Sequence, residues 1–306
     1  MKKTTTRKSG ARKSTSKTLV KKTSRTPSNA IAFQGQPGAY SHIACVARFP
    51  KMTAMPCAQF EDVFAAVQKG DARLAMIPVD NSVAGRVADI HHLLPRSGLH
   101  IVGEHFQPVN HHLLAVPGAS LKTIKRVESH VHALGQCRDF LRKNKFISVV
   151  VGDTAGSAKA VAERQDKSVG AIASKLAAQI YGLKSLAANV EDATHNTTRF
   201  IIMSRTPLKT SAKTGGPYVT SFVFRVRGVP AALYKALGGF ATNGVNMTKL
   251  ESYMVDGHFE AAQFYADVDG HPDERPLRLA LEELRFFSKE VAILGTYPAD
   301  PFRTRK

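Results

Sequence analysis

The chain has 306 residues, enough for two or three compact units at the usual domain size. Its 43% hydrophobic and 22% charged content is ordinary for a globular protein, and no stretch reaches the roughly 20 apolar residues of a membrane span. The net charge of +19 is unusual, but residues 1–28 hold ten Lys or Arg and no acid, and subtracting those ten leaves +9 elsewhere.

That basic front is rich in Lys, Ser and Thr, with Leu19-Val20 as its apolar pair. It cannot bury enough surface to offset its ordering entropy, so a disordered tail is expected over residues 1–29. No recognition helix, stacking-aromatic motif or zinc-finger spacing accompanies the charge, so no specific nucleic-acid partner is expected. The absence of an apolar signal core and of an amphipathic transit stripe predicts a cytoplasmic location without membrane association. Cys45, Cys57 and Cys137 lack CxxC spacing and read as buried thiols in a reducing compartment. The adjacent pairs His91-His92 and His111-His112 point their side chains apart, which favours packing over metal binding.

From Ala30, short apolar strands alternate with amphipathic helices. A strand is expected at 31–33, helices at 41–49 and 60–69, and strands at 74–79 and 98–105. A second unit follows, with strands at 113–116, 148–151 and 169–172 and helices at 133–143, 156–163 and 173–181. This is α/β construction, with a mainly parallel sheet expected. The strand led by Thr198 returns to the first unit. Two lobes, about 30–105 plus 190–205 and about 106–189, then leave a cleft for a small ligand.

Residues 206–217 form a linker by composition. Beyond it come a strand at 219–226, a helix at 230–242, strands at 246–254 and 258–268, a helix at 273–287 and a strand at 291–295. That order is βαββαβ, the ferredoxin-like pattern, over residues 218–300.

Three segments carry chemistry. Thr197-Thr198-Arg199-Phe200 sets a hydroxyl, a cation and an aromatic ring at the mouth of an apolar strand. Such a trio suits a small anion, because guanidinium grips a carboxylate bidentately while a hydroxyl donates to a second oxygen. Residues 33–42 and 77–86 place small or polar groups, including Tyr40, Ser41, Asn81 and Ser82, at the carboxyl ends of strands, where open α/β sheets bind ligands. Ser41 suits a helix cap equally well. Gly35-Gln36-Pro37-Gly38 lacks the third glycine of a dinucleotide loop and reads as an anion-binding turn.

Together with Ser129-His130-Val131-His132-Ala133-Leu134, Asp153-Thr154-Ala155 and Ala173-Ser174, these motifs resemble the prephenate dehydratases over about residues 30–300. The resemblance implies a two-lobed catalytic domain, like the type II periplasmic binding proteins, over residues 30–205. It implies decarboxylative dehydration of prephenate to phenylpyruvate in L-phenylalanine biosynthesis, with no cofactor and no metal. Thr198 would donate to the departing hydroxyl, Arg199 would anchor a carboxylate or fix the motif, and Phe200 would wall the ring pocket. Asn81, Ser82, Tyr40, Ser41, Thr154 and Ser174 would hold substrate, with Asp80 where the family has Glu. Arogenate dehydration and a non-catalytic two-lobed binding protein for small carboxylates are the alternatives.

The segment from residue 218 resembles an ACT domain, carried by Gly228-Val229-Pro230-Ala231-Ala232-Leu233-Tyr234, by Gly244-Val245-Asn246-Met247-Thr248-Lys249-Leu250-Glu251-Ser252 and by Ala266-Asp267-Val268-Asp269-Gly270-His271. This likeness implies feedback by L-phenylalanine, held by Pro230, Ala232, Leu233, Asn246, Glu251 and Ser252, in a homodimer or homotetramer. Two departures bear on it. Ala231 stands where the family commonly has Gly and Tyr253 where it has Arg, which narrows the approach to backbone and removes a carboxylate partner.

Overall fold

The computed structural model describes residues 28–87, 90, 92–254 and 261–304. The basic tail through residue 27, His91 and the expected strand start at 258–260 lie outside them.

Lobe one comprises β1 (Ala30–Gln34), α1 (Tyr40–Arg48), β2 (Thr53–Cys57), α2 (Phe60–Lys69), β3 (Leu74–Asn81), β4 (Gly85–Arg86) and β5 (His100–Pro108). Lobe two holds β6 (His112–Ala115), β7 (Arg126–Ser129), α3 (Val131–Gly135), α4 (Arg138–Lys143), β8 (Ile147–Val150), α5 (Thr154–Arg164), β9 (Val169–Ala173), α6 (Lys175–Tyr181) and β10 (Lys184–Ala188). The chain returns through β11 (Thr197–Ser204) to complete the first sheet in the order β2-β1-β3-β11-β5, while the second runs β10-β6-β9-β7-β8. Both sheets are mixed rather than mainly parallel, since β11 pairs antiparallel with β3 and β5, and β6 antiparallel with β9 and β10. An apolar run buried on both faces reads alike in either direction, so the sequence pattern could not settle this.

Local chemistry sets the element ends. Gln59 and Asp62 form a reciprocal cap at the start of α2, and Gly70, with φ 87°, closes it. Val63, Phe64, Ala66 and Val67 give that helix one apolar face toward the sheet. The expected helix at 133–143 is instead α3 and α4, broken at Gln136-Cys137.

After the linker come β12 (Tyr218–Val226), α7 (Ala232–Thr242), β13 (Met247–Met254), β14 (Ala261–Asp269), α8 (Arg275–Phe287) and β15 (Ser288–Pro298), the βαββαβ order. The antiparallel sheet β13-β14-β12-β15 packs one face on its two helices, through Phe222, Phe240, Phe264 and Leu281. Its other face buries Val219, Val223, Tyr265 and Tyr297 in the same core as α2, Ile201 and Met203. The domain therefore docks on lobe one. Contact is tight enough that a methyl built on Gly295 would overlap the carbonyl oxygen of Ile101.

Candidate active site

The strand β11 decides which side chains meet the cleft. Successive side chains on a strand point to opposite faces. Phe200 and Ile202 thus pack with Ile31, Phe33, Ala44 and Met76 beside α1, whereas Ile201 and Met203 pack toward α2 and the C-terminal sheet. Thr198 shares the Phe200 face and Arg199 the other. Opposite them β3 carries a bulge, for Arg199 pairs with Asp80 but Phe200 with Pro78.

At the junction of the lobes, Asn81 Nδ2 donates to Thr198 Oγ1 at 3.0 Å and to Asn196 Oδ1 at 2.8 Å. Its carboxamide cannot turn over, because Oδ1 accepts from the backbone N–H groups of Val83 and Ala84 at 3.0 and 2.7 Å. From lobe two, Gln136 Nε2 donates to Asn81 Oδ1 at 3.3 Å, while its Oε1 accepts from Asn196 Nδ2 and His111 Nε2, both at 2.9 Å. A neutral His111 then presents Nδ1 as an acceptor to the Tyr40 hydroxyl, 2.9 Å away. Burial pulls the His111 pKa down and, with Glu191 and Cys137 nearby, pushes that of Tyr40 well above its ordinary value. The Tyr40 hydroxyl also lies 2.8 Å from the Asn110 carbonyl, so its one proton is shared between that oxygen and His111 Nδ1. Because Thr198 Oγ1 already accepts from Asn81, its own proton is free to donate, and among the described residues no protein group takes it.

Other expected residues fall differently. Phe200 is core, 1% exposed, packed among Ile31, Phe33 and Met76. Arg199 is also buried and already held by protein: Nε donates to Glu104 at 2.9 Å, Nη1 to Asp267 at 2.6 Å and Nη2 to the Tyr297 hydroxyl at 3.1 Å. These bonds fix the strand at the motif. Ser41 does not cap α1, whose N-cap is Ala39. His130 caps α3, accepting from the His132 N–H. Ser174 caps α6 through Ala177 N–H and donates to the Gly38 carbonyl at 2.6 Å, so its hydroxyl ties the lobes instead of facing a ligand. Ser82 donates to the His195 carbonyl and accepts from Thr197 N–H. Thr154 opens α5 half-buried, behind the cap Asp153.

The expected effector residues split within one chain. Asn246 and Glu251 line a cavity of about 830 Å³ between lobe one and the C-terminal sheet, together with Asp80 and Lys249. Pro230 is exposed, and Ala232 and Leu233 start α7 against the helix-side core. The Ser252 carbonyl accepts from Arg86 at 3.3 Å. Gln136, Asn196 and Glu104 stand in no sequence motif, His111 reads there only as one of a packed histidine pair, and Asp267 only as part of the ACT-like segment. The alternation of His111-His112 was the usable signal, since His112 does turn away, to Ser185 at 2.8 Å.

Residues 31–208 match the family model described as prephenate dehydratase. The chain belongs to the prephenate dehydratase family. It is 54% identical over 275 residues to a bifunctional N-acyl-homoserine lactone acylase/prephenate dehydratase of Komagataeibacter europaeus, covering 90% of this chain and 98% of the relative. It is 40% identical over 287 residues to arogenate dehydratase/prephenate dehydratase 1 of Arabidopsis thaliana, covering 89% and 73%. The crystal structure of the Arthrobacter aurescens prephenate dehydratase in complex with L-Phe superposes with a TM-score of 0.80 at 31% identity, covering 88% of this chain and 89% of that one. With these prephenate dehydratase relatives across most of its length, the chain is a dehydratase enzyme. Among the described residues, no helix is long and apolar enough to cross a membrane.

Proposed function

We propose that this enzyme converts prephenate to phenylpyruvate, with residues 30–205 as the catalytic domain. The observation that carries the reading is the Asn81–Thr198 contact, which uses the threonine oxygen as an acceptor and leaves its proton to donate. In the reaction, the C–C bond to the ring carboxylate breaks and carbon dioxide leaves. That electron pair completes the aromatic ring as the C–O bond to the ring hydroxyl breaks. The departing oxygen takes a proton and leaves as water. A threonine hydroxyl is too weak an acid to be a free proton source near neutral pH, so Thr198 donates a hydrogen bond to the leaving oxygen or relays a proton. Aromatisation supplies the driving force, and the protein supplies orientation and water exclusion. Tyr40, Asn81, Ser82 and the first turn of α5 at Thr154 surround the substrate.

Residues 218–300 act as an ACT domain that binds L-phenylalanine between two chains. The L-Phe complex of the Arthrobacter relative supports this, as does the split of Asn246 and Glu251 from Pro230, Ala232 and Leu233 within one chain. The assembly is then a homodimer or homotetramer, working in the cytoplasm. The name of the Komagataeibacter relative also includes an acylase. Here the Ser185 hydroxyl beside His112 donates to the Ala187 carbonyl across a strand bulge, which favours a structural brace over a nucleophile.

The test is the appearance of phenylpyruvate absorbance on mixing the protein with prephenate, with arogenate and an N-acyl-homoserine lactone in parallel. Rapid phenylpyruvate above the spontaneous rate supports the reading. Turnover of arogenate alone would move the substrate, and no dehydration of either would overturn it.

A further inference from the structure

We infer that Asp267, on the C-terminal sheet, is a positioning residue for Thr198 and acts through Arg199. The inference rests on the reading of Thr198 as the hydrogen-bond donor to the leaving group.

Thr198 and Arg199 are consecutive on β11 with side chains on opposite faces, so a rotation of the backbone at one turns the other. The bulge in β3 falls at the next step, between Arg199 and Phe200, where a strand re-aims its side chains. Of the three groups that hold the Arg199 fork, Glu104 belongs to lobe one, but Asp267 and Tyr297 belong to the docked domain. Asp267 is itself rigid: it is wholly buried and accepts from Ser221 Oγ at 2.5 Å and the Tyr265 hydroxyl at 2.7 Å. Burial opposes the charge on both partners. Arg199 nonetheless holds Asp267 below the usual carboxylate range, and Asp267 leads the groups that keep Arg199 charged. A pair so removed from water leaves a costly uncompensated charge when one member goes.

The next carboxylate on that side is Asp80, 3.8 Å from Arg199 Nη1 and already 2.7 Å from Lys249 Nζ. Without Asp267 the guanidinium turns toward Asp80. Asp80 precedes Asn81, the residue that orients the Thr198 hydroxyl. Arg303 secures the arrangement from behind, its Nε 2.6 Å from Glu104. The docked domain therefore supplies part of the frame on which the reacting strand is set.

The experiment is a double-mutant cycle on the full chain, with prephenate turnover measured for wild type, Asp267→Asn, Thr198→Ala and the double variant. Asp267→Asn is expected to lower kcat about tenfold while KM moves less than about threefold, because misplacing a donor by a fraction of an ångström costs turnover rather than affinity. In the Thr198→Ala background the same change is expected to cost less than about twofold, the non-additivity of residues that act as a unit. Tyr297→Phe, which removes one hydroxyl, should give a smaller loss of the same pattern and serves where Asp267→Asn does not fold. An equal factor in both backgrounds would mean a loss of folded protein and overturn the inference alone. Undiminished turnover in Thr198→Ala would remove the catalytic reading together with it.

Discussion

Asn81 donates to Thr198 across adjacent strands, 3.0 Å from Nδ2 to Oγ1, and two backbone N–H groups fix the direction of that bond. The pair is a register partnership as well, since Thr198 lies opposite Asn81 in the β3–β11 ladder. Thr198→Ala removes the donor and is expected to lower kcat on the order of 100-fold with a modest change in KM. Asn81→Asp keeps the shape but replaces the donor with an acceptor, so the threonine proton turns back onto the carboxylate. Its kcat should fall nearly as far as that of Thr198→Ala. Steady-state kinetics check both, and an Asn81→Asp enzyme with wild-type turnover would show that the hydroxyl is not oriented from this side.

His111 makes the junction sensitive to acid. Burial lowers its pKa and His112 adds to this, against the Gln136 bond and the Glu191 carboxylate. A group whose folded pKa lies below its unfolded value takes its proton more readily in the unfolded chain. The His111 contribution is therefore complete above about pH 6.5 and is lost as pH falls through the folded value. Denaturant titrations from about pH 7.5 down to about 5 should show wild type losing stability more steeply than His111→Gln. Equal slopes would assign the loss to His42, His105, His112 or His130, whose pKa values burial also lowers.

Much of this architecture was legible because its signals are local. Helix α2 declares itself by its capping box and Gly70, and β11 by a polar start before Phe200-Ile201-Ile202-Met203. The strands β2, β7 and β10 were not legible: β2 carries Pro56 and lies half in solvent, and β7 and β10 mix charged and hydroxyl residues into short runs with little apolar content to mark them. For the site, period-two alternation already separates Thr198 from Arg199. What no local pattern holds is the destination of Arg199, because Asp267 is 68 residues away on another unit. The effector residues follow the same rule. Motif likeness groups them, but the fold of one chain sets Asn246 and Leu233 on different surfaces.

Ala231 carries strain at the entrance to α7. Its φ is 58°, in the left-handed region that costs an L-residue with a side chain about 1–2 kcal/mol. Helix α7 therefore starts at Ala232, after an N-cap without a side-chain bond, rather than at Pro230. Ala231→Gly relieves the strain and loses some unfolded-state advantage, for a net gain of about 1 kcal/mol. Thermal unfolding should rise by a few degrees, and calorimetry with L-phenylalanine should show tighter binding once the methyl is gone. A lower Tm would mean that the methyl packs usefully where it stands.

At Gly38 lobe one closes on helix α6 of lobe two. Its carbonyl accepts from Ser174 Oγ at 2.6 Å, and the neighbouring Pro37 carbonyl accepts from the Tyr181 hydroxyl at 2.9 Å. A methyl at Gly38 would lie 2.7 Å from Ala177 Cα, inside a helix whose first turn Ser174 already fixes, and the glycine itself sits at φ 92°. Gly38→Ala thus meets an immovable wall and a disfavoured backbone together, and the relief open to it is separation of lobe one from lobe two. Separation would pull Tyr40 from His111 and Gln136 from Asn81, the contacts that assemble the junction. The expected result is a rise in KM of about tenfold or more together with a fall in kcat. Thermal stability should change less, because Gly38 lies outside the apolar core of either lobe. Small-angle scattering should report a larger radius of gyration for the variant than for wild type. Wild-type kinetics in Gly38→Ala would show that turnover does not require the lobes to meet at this contact.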